Sequence, residues 1–289
     1  MHAAQESQLK KVGIIAGSGR PPVLLAEKLE AAGIVPYIVA IDGVADASAY
    51  QARQHAVIPL GMAGSILAWF KTNGVTDIVL TGALKRPEWS KLKVDARGMM
   101  IIAKVALKRL GDDSLLRAIR KEIEADGLRL RGIHEFVPDL LMPAGLLTKT
   151  APKPQDWPSI RLGFNVSQDL GRQDKGQSVI VQNETILGLE GKDGTNALME
   201  TAAEIKQAIG RSPILVKTCK PQQDRSLDLP SLGPRTIELA ASLGFAGIAL
   251  QAEESLLIDR ETVIELCNAH GLFLYGIKEG DPLMGGDPS

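Results

Sequence analysis

The sequence predicts an α/β fold in two domains, and three observations carry that prediction. Short apolar runs alternate with helical patterns through residues 11–82, the signature of a parallel sheet with crossover helices. The stretch PAGLLTKTAPKPQDWP (143–158) then concentrates proline and loses periodicity. Beyond it the alternation restarts and continues to LFLYG at 272–276. A chain of 289 residues can build a core in each half. The expected division is an N-terminal Rossmann-like parallel-sheet domain over 1–142, a linker over 143–158 and a C-terminal α/β domain over 159–289.

The first strand is KVGIIA (11–16), closed by Gly17-Ser18-Gly19, with a helical pattern over 22–32. PYIVAI (36–41), HAVIPL (55–60) and TDIVLTG (76–82) read as further buried strands, and GSILAWFKTNG (64–74) as a helix among them. Two helical stretches follow at 96–110 and 112–127, with Asp112 or Asp113 as N-cap of the second. Past the linker, strands are expected at 177–182 and 185–190, a helix at 195–209 and a strand at 213–217. A helix at 234–243, strands near 247–250 and 255–258, a helix at 260–269 and the final strand complete the reading. There is no internal repeat.

Composition narrows the function classes. The formal net charge is −1 and no long basic block is present, so binding along a phosphate backbone is not expected. Aromatic residues make up 4% of the chain, too few to stack single-stranded bases. No nucleic-acid partner is expected. The polar MHAAQESQLKK leads into a short apolar run unlike a signal-peptide core, and no stretch of roughly 20 apolar residues suits a membrane-spanning helix. Cys219 and Cys267 form neither a disulfide framework nor a metal-spaced cluster. The expectation is a soluble cytoplasmic protein.

Four stretches carry candidate chemistry. In GIIAGSGRPPV, Gly17 and Gly19 would let the backbone approach a phosphate at a helix N-terminus, with Asp42 as a ribose-binding acid. The third glycine of the dinucleotide fingerprint is missing, and a ligand-free tight turn reads the same way. LTGALKRPEW puts Gly82 and Lys85 at the carboxyl end of a parallel strand, where open sheets bind ligands; a solvated basic turn is the plainer alternative. DKGQSVIVQNETILGLEGKDGTNAL gathers Gln177, Glu190, Gly194 and Thr195 around a strand pair and a helix start, which suits an anion or sugar but also a simple hairpin with a threonine cap. KTCKPQQDRSLDLPSLGP combines Lys217, Lys220, Arg225 and Asp228 with the stiffening Pro230, Gly233 and Pro234. His134 in GIHEF reads as structural, and Cys219 lacks a partnered base. MMIIAKVALKRL, apolar with a basic edge, is either a core helix or a wall for acyl chains and shallow membrane contact.

These stretches, with DARG, GDDSLL, GIHEFVPDLLMPAG and GIALQAEESLLIDRE, run in order from about residue 10 to 280 and together resemble the LpxI family of UDP-2,3-diacylglucosamine pyrophosphatases. The resemblance implies two α/β domains with substrate between them, the C-terminal one catalytic. It also implies magnesium-dependent hydrolysis of UDP-2,3-diacylglucosamine to UMP and 2,3-diacylglucosamine 1-phosphate (lipid X), a step of lipid A synthesis. The essential acid of the family's Asp-Leu-Pro motif falls on Asp228, expected as catalytic residue and as the Mg2+ ligand. The glycines, lysines and polar residues singled out above become the expected substrate contacts. Peripheral association with the cytoplasmic face of the inner membrane follows from a lipid substrate, and a homodimer is admitted. Asn196, Ser226, Ser231 and Leu232 depart from the family's usual residues.

The loop at 217–234 then has a chemical reading. A diphosphate needs its charge neutralised and a water held in line. Lys217, Lys220 and Arg225 would face phosphate oxygens, Asp228 would orient the water or hold the ion, and Gly233-Pro234 would open a helix toward the anion. Asp224 reads as a partner for Arg225. Two other functions stay open on the residues alone: a dinucleotide-dependent oxidoreductase built on Gly17, Gly19 and Asp42, and a non-catalytic nucleotide-sugar or lipid-binding protein.

Overall fold

The structure is a computed structural model that describes residues 10–84, 93–106, 112–206, 211–227, 229–278 and 280–281; along 104–106 and 112–118 it describes the backbone. Lys85 and Asp228 lie outside the described residues, as does the 107–110 end of the expected apolar helix. The chain divides into two compact units, one formed by Met1–Pro138 with Asp224–Asp228, the other by Asp139–Gln223 with Leu229–Ser289.

In the first unit the chain runs β1 (Lys11–Ala16), α1 (Pro21–Ala31), β2 (Val35–Ile41), β3 (Gln54–Ile58), α2 (Ala63–Thr72), β4 (Asp77–Thr81), α3 (Ala96–Ala106), α4 (Asp112–Ala125) and β5 (Arg129–Arg131). The sheet order is β3-β2-β1-β4-β5 and every neighbouring pair is parallel. The chain therefore starts at the centre, builds to one edge and returns to build the other, leaving a switch point between β1 and β4. β1 and β4 are almost wholly buried, as strands covered on both faces must be. On one face Ile15, Val39, Ile78 and Leu80 pack with Ile66, Leu67 and Phe70 of α2. Gly13 makes room for that helix: a β-carbon there would lie 2.7 Å from the Phe70 ring.

β5 is too short to show as a period in the sequence, yet charge fixes it. Asp77, 2% exposed at the start of β4, accepts from Arg129 Nη2 at 2.7 Å and Arg131 Nη1 at 3.1 Å. Burial alone would raise its carboxyl, but the hydrogen bonds from Arg129, Thr76 and Arg131 outweigh burial and hold it below the usual range.

The second unit contains β6 (Gly145–Leu146), α5 (Trp157–Arg172), β7 (Ser178–Gln182), β8 (Thr185–Leu189), α6 (Gly194–Ile205), β9 (Ile214–Lys217), β10 (Ser231–Leu232), α7 (Pro234–Ser242), β11 (Gly247–Gln251), β12 (Leu256–Leu257), α8 (Arg260–His270) and β13 (Phe273–Ile277). Its main sheet has the order β6-β13-β11-β9-β7-β8. β13, β11 and β9 are parallel, while β6, β7 and β8 join antiparallel to their neighbours. β10 and β12 form a separate parallel pair.

Alternating side chains feed two cores. Leu215, Ile248 and Leu274 face Met199, Ile237 and Val263 of α6, α7 and α8. Val216, Ala249 and Tyr275 face α5 through Ile160. The sequence reading has no helix at α5, whose segment carries Pro158, Gly163 and Gly171. Its glycine is there for contact with the sheet, since a β-carbon on Gly163 would come within 2.6 Å of Val216 Cγ2. The stretch expected as a linker contributes β6 and the turn Pro154–Asp156 to this unit, and that turn leads directly into α5.

Candidate functional site

At the switch point of the first unit, the loops after β1 and β4 close on each other. Gly17 N donates to Thr81 O at 2.9 Å, while Ser18 and Ala83 exchange backbone hydrogen bonds at 3.0 and 2.8 Å. A β-carbon on Gly17 would sit 2.7 Å from Ala83 O, and one on Gly82 would sit 2.8 Å from Pro22 Cγ. Gly82 also has φ of +90°. These two glycines are thus required by backbone-to-backbone packing, whatever binds above them. Gly19, at φ +94°, turns the chain into α1, and its β-carbon would meet only Pro21 Cδ at 3.6 Å. Pro21 opens the helix, where a missing N–H costs nothing. Asp42 is exposed just past β2, its backbone N–H on Ile58 O.

The first unit also takes in the Asp224–Asp228 segment. Leu227 is 8% exposed and lies in the same core as Ile123, Leu128 and Leu130. Asp224 Oδ1 accepts from Arg120 Nη2 at 2.8 Å, and Arg120 Nε stands 2.7 Å from Asp224 Oδ2. The partner of Asp224 is therefore Arg120, in place of the expected Arg225. Asp224 also closes its own turn, accepting from Ser226 N at 3.0 Å through Oδ1 and from Leu227 N at 2.9 Å through its carbonyl. Near this turn the His134 ring lies against Gly132, where a β-carbon would be 2.4 Å from His134 Cε1. Burial pushes the His134 imidazole down, Arg225 adds to that, and Glu135 opposes it.

In the second unit, strand register gathers most of the expected anion contacts at one edge. Ser178 pairs with Lys217, and Val179 with Leu189. The start of β7, the end of β8 and the end of β9 consequently meet at the carboxyl edge of the parallel strands. Glu190 accepts from Gln177 N at 2.9 Å and from Thr195 Oγ1 at 2.5 Å. Because that hydroxyl donates to Glu190, its lone pairs are left to accept from Lys217 Nζ at 3.1 Å. Ser178 Oγ stands 3.3 Å from the same hydroxyl. Lys217 is 8% exposed, so its charge is held largely out of bulk water. The Gln177 side-chain oxygen is buried without a hydrogen-bond partner among the described residues.

The local backbone suits an anion. α6 begins at Gly194, φ +81°, and its N-cap Asp193 makes no side-chain cap bond. First-turn amides and the positive end of the helix dipole favour negative charge there. A β-carbon on Gly191 or Gly194 would meet nothing within 4 Å, so the loop before the helix is open on that side. Gln177, Glu190, Gly194, Thr195 and Lys217 are therefore brought together.

Lys220 and Gly233 are placed differently within the same unit. Lys220 Nζ donates to Asp174 Oδ1 at 2.6 Å. Gly233 is extended, φ −143°, ahead of Pro234 at the start of α7, and its β-carbon would make only an ordinary 3.8 Å contact with Ile258. Cys219 is buried, its backbone N–H held by Gln251 Oε1 at 2.9 Å. Sequence reasoning missed Arg120 and Ser178. Arg120 sits in RKEIE with Glu124 at i+4, indistinguishable from a solvated helix pair.

Two family models match the chain: the LpxI N-terminal domain over residues 11–140 and the LpxI C-terminal domain over 143–275. A UDP-2,3-diacylglucosamine pyrophosphatase LpxI of Caulobacter vibrioides is 35% identical over 275 residues, spanning 93% of this chain and 98% of that protein. The chain belongs to the LpxI family. Both family domains fall on α/β units, the first on the parallel sheet and the second on the mixed one.

Among the described residues, no group of three or more His, Cys, Asp or Glu side chains is placed to hold a metal ion. Both oxygens of Glu190 already accept hydrogen bonds from Gln177 and Thr195. Magnesium is commonly held by one or two carboxylates together with substrate phosphates, so a dedicated protein cage is not required. Among the described residues, no helix is long and apolar enough to cross a membrane.

Proposed function

We propose that this chain hydrolyses the diphosphate of UDP-2,3-diacylglucosamine, releasing UMP and 2,3-diacylglucosamine 1-phosphate. The observation that carries the proposal is the near-complete coverage of the Caulobacter vibrioides relative bearing that activity in its name. The edge formed by Lys217, Thr195 and the start of α6 supports it, because a buried ammonium beside a helix N-terminus suits a phosphate. Lys217 would neutralise phosphate charge, with Glu190 fixing the Thr195 hydroxyl that orients it. Water would form its new P–O bond at the phosphorus nearer the sugar as the bridging bond to the uridine-side phosphate breaks and UMP leaves; Asp228 would orient that water and accept its proton. A magnesium ion, when bound, would be held by Asp228 and would supply charge neutralisation on the phosphates.

Peripheral membrane contact is part of the same reading. α3 exposes Met99 at 60% and Met100 at 51%, adjacent apolar side chains of the kind that enter a bilayer interface. The substrate's acyl chains give such contact a purpose.

The test is incubation of the chain with UDP-2,3-diacylglucosamine and magnesium, with and without chelator, following UMP. UMP release suppressed by chelator is expected. Binding without turnover would make the protein a carrier. Nicotinamide or flavin binding would favour redox chemistry at Gly17 and Gly19.

A further inference from the structure

We infer that Ser167 of α5 is a positioning residue for the anion-binding edge, acting through Thr218 and Gln177 on Lys217. The inference rests on the proposed phosphate contact of Lys217 and adds the device that sets where its ammonium stands. Ser167 Oγ donates to Gln177 O at 2.7 Å and stands 2.8 Å from Thr218 Oγ1. Since the Ser167 proton is committed to the carbonyl, Thr218 is the donor to Ser167. Ser167 and Thr218 are both 0% exposed, so this chain of hydrogen bonds is sealed from water.

The clamp falls on the residues that flank the Lys217 pair. Ser178 pairs with Lys217 at the end of β7 and β9, and one step beyond it Thr218 N donates to Gln177 O at 3.0 Å. Gln177 N in turn donates to Glu190 Oε2, while Glu190 Oε1 accepts from the Thr195 hydroxyl that receives Lys217 Nζ. Through its backbone alone, Gln177 ties the root of Lys217 to the carboxylate that fixes the hydroxyl at the far end of that side chain. Alternation along β9 sends Val216 and Thr218 toward α5 and Lys217 toward the start of α6. The next residue of α5, Gln168, reaches Cys219 O at 3.2 Å, so the strand end is held at two successive residues.

Closing the sheet does not require these hydroxyls. Gln177 O already accepts from Thr218 N, and replacing a buried hydroxyl pair by apolar groups of the same shape is nearly neutral for stability. What the pair adds is direction, because a fully satisfied buried polar chain holds one geometry. α5 carries its own comparison. Ser159, 1% exposed on the same helix, accepts from Glu184 N at 2.9 Å in the turn between β7 and β8. It clamps the opposite end of β7, away from Lys217.

The experiment measures equilibrium binding of UDP-2,3-diacylglucosamine in chelator, kcat and KM for UMP release with magnesium, and urea midpoints. The variants are Ser167→Ala, Thr218→Val, the Ser167→Ala/Thr218→Val double, Lys217→Met, Ser167→Ala/Lys217→Met and Ser159→Ala. Ser167→Ala is expected to weaken binding and raise KM about three- to tenfold, the share of affinity one hydrogen bond carries, with kcat within about twofold. The Ser167→Ala/Thr218→Val double should recover the midpoint yet stay weak in binding, because apolar packing returns without the direction. On Lys217→Met, adding Ser167→Ala should weaken binding no further, since Ser167 acts through that lysine. Ser159→Ala should lose stability and bind like wild type. Wild-type affinity in Ser167→Ala, a double variant that recovers affinity along with its midpoint, an additive loss on Lys217→Met, or an equal loss in Ser159→Ala would overturn the inference alone. If Ser167→Ala does not fold, wild-type affinity in Thr218→Val overturns it equally. A wild type that binds substrate without releasing UMP overturns the proposed reaction, and the binding comparison still decides the inference. A wild type that does not bind substrate overturns both.

Discussion

Gly17 and Gly82 meet backbone to backbone: a β-carbon on either would lie 2.9 Å from the carbonyl carbon of the other. The contact closes the loops after β1 and β4, the two central strands that flank the switch point. Glycine at these positions is thus a packing requirement of the fold.

Gly17→Ala should consequently lose about 1–3 kcal/mol of stability, the usual cost of forcing atoms into filled space. Gly19→Ala should lose less, about 1–2 kcal/mol, since only its left-handed backbone opposes a side chain. Denaturant midpoints with KM on the folded fraction check this. A normal midpoint with a strongly raised KM for Gly17→Ala would return the residue to a ligand role.

Lys217→Met should weaken substrate binding by roughly 10- to 100-fold, the equivalent of losing about 1.5–3 kcal/mol from a hydrogen bond to a charged group. Thr195→Val should also weaken binding, because the hydroxyl links Lys217 to Glu190. Equilibrium binding of substrate or UMP reads both. Unchanged affinity in Lys217→Met would remove this edge from the site.

The His134 imidazole is depressed by burial and by Arg225 below its ordinary 6.5. The unfolded chain therefore takes up a proton at a pH where the folded one does not. The associated stability is fully present above 6.5 and is lost as pH falls through the lowered folded value. His134→Gln should flatten the stability curve below 6.5, as followed by urea midpoints at several pH values. An unchanged slope would mean that His134 titrates normally in the fold.

Met99→Ser with Met100→Ser should reduce co-sedimentation with anionic vesicles while leaving turnover of a short-chain, soluble substrate intact. Both side chains are exposed, so the fold should not suffer. Undiminished sedimentation would place any membrane contact elsewhere.

Most elements were legible because burial on both faces writes itself as apolar runs. KVGIIA coincides with β1, and the expected 36–41 and 55–60 strands differ from β2 and β3 by only a residue or two at an end. α5 was not legible, since its contact with the sheet relies on Gly163 and on the buried polar Ser159 and Ser167, which weaken a helical period. β5 is three residues long and depends on the charge of Asp77, a long-range fact. At the site, Gln177, Glu190, Thr195 and Lys217 could be chosen by type because the sequence spaces them at strand ends. Arg120 could not, since its partner Asp224 is 104 positions away. Lys220 could also be chosen by type, whereas its ion-pair partner Asp174, in a left-handed turn after α5, lies 46 positions away.

The central claim is diphosphate hydrolysis that depends on the carboxylate of Asp228, and single-turnover release of UMP tests it most directly. Wild type, Asp228→Ala and Asp228→Asn are mixed with UDP-2,3-diacylglucosamine and magnesium, with substrate binding measured alongside. Both variants should bind substrate yet release UMP on the order of 10²–10⁴ times more slowly, the range for positioned acid–base and charge-stabilising groups. Asparagine keeps the size and loses the anion, so it should resemble alanine. Near-normal UMP release by Asp228→Ala would contradict the account.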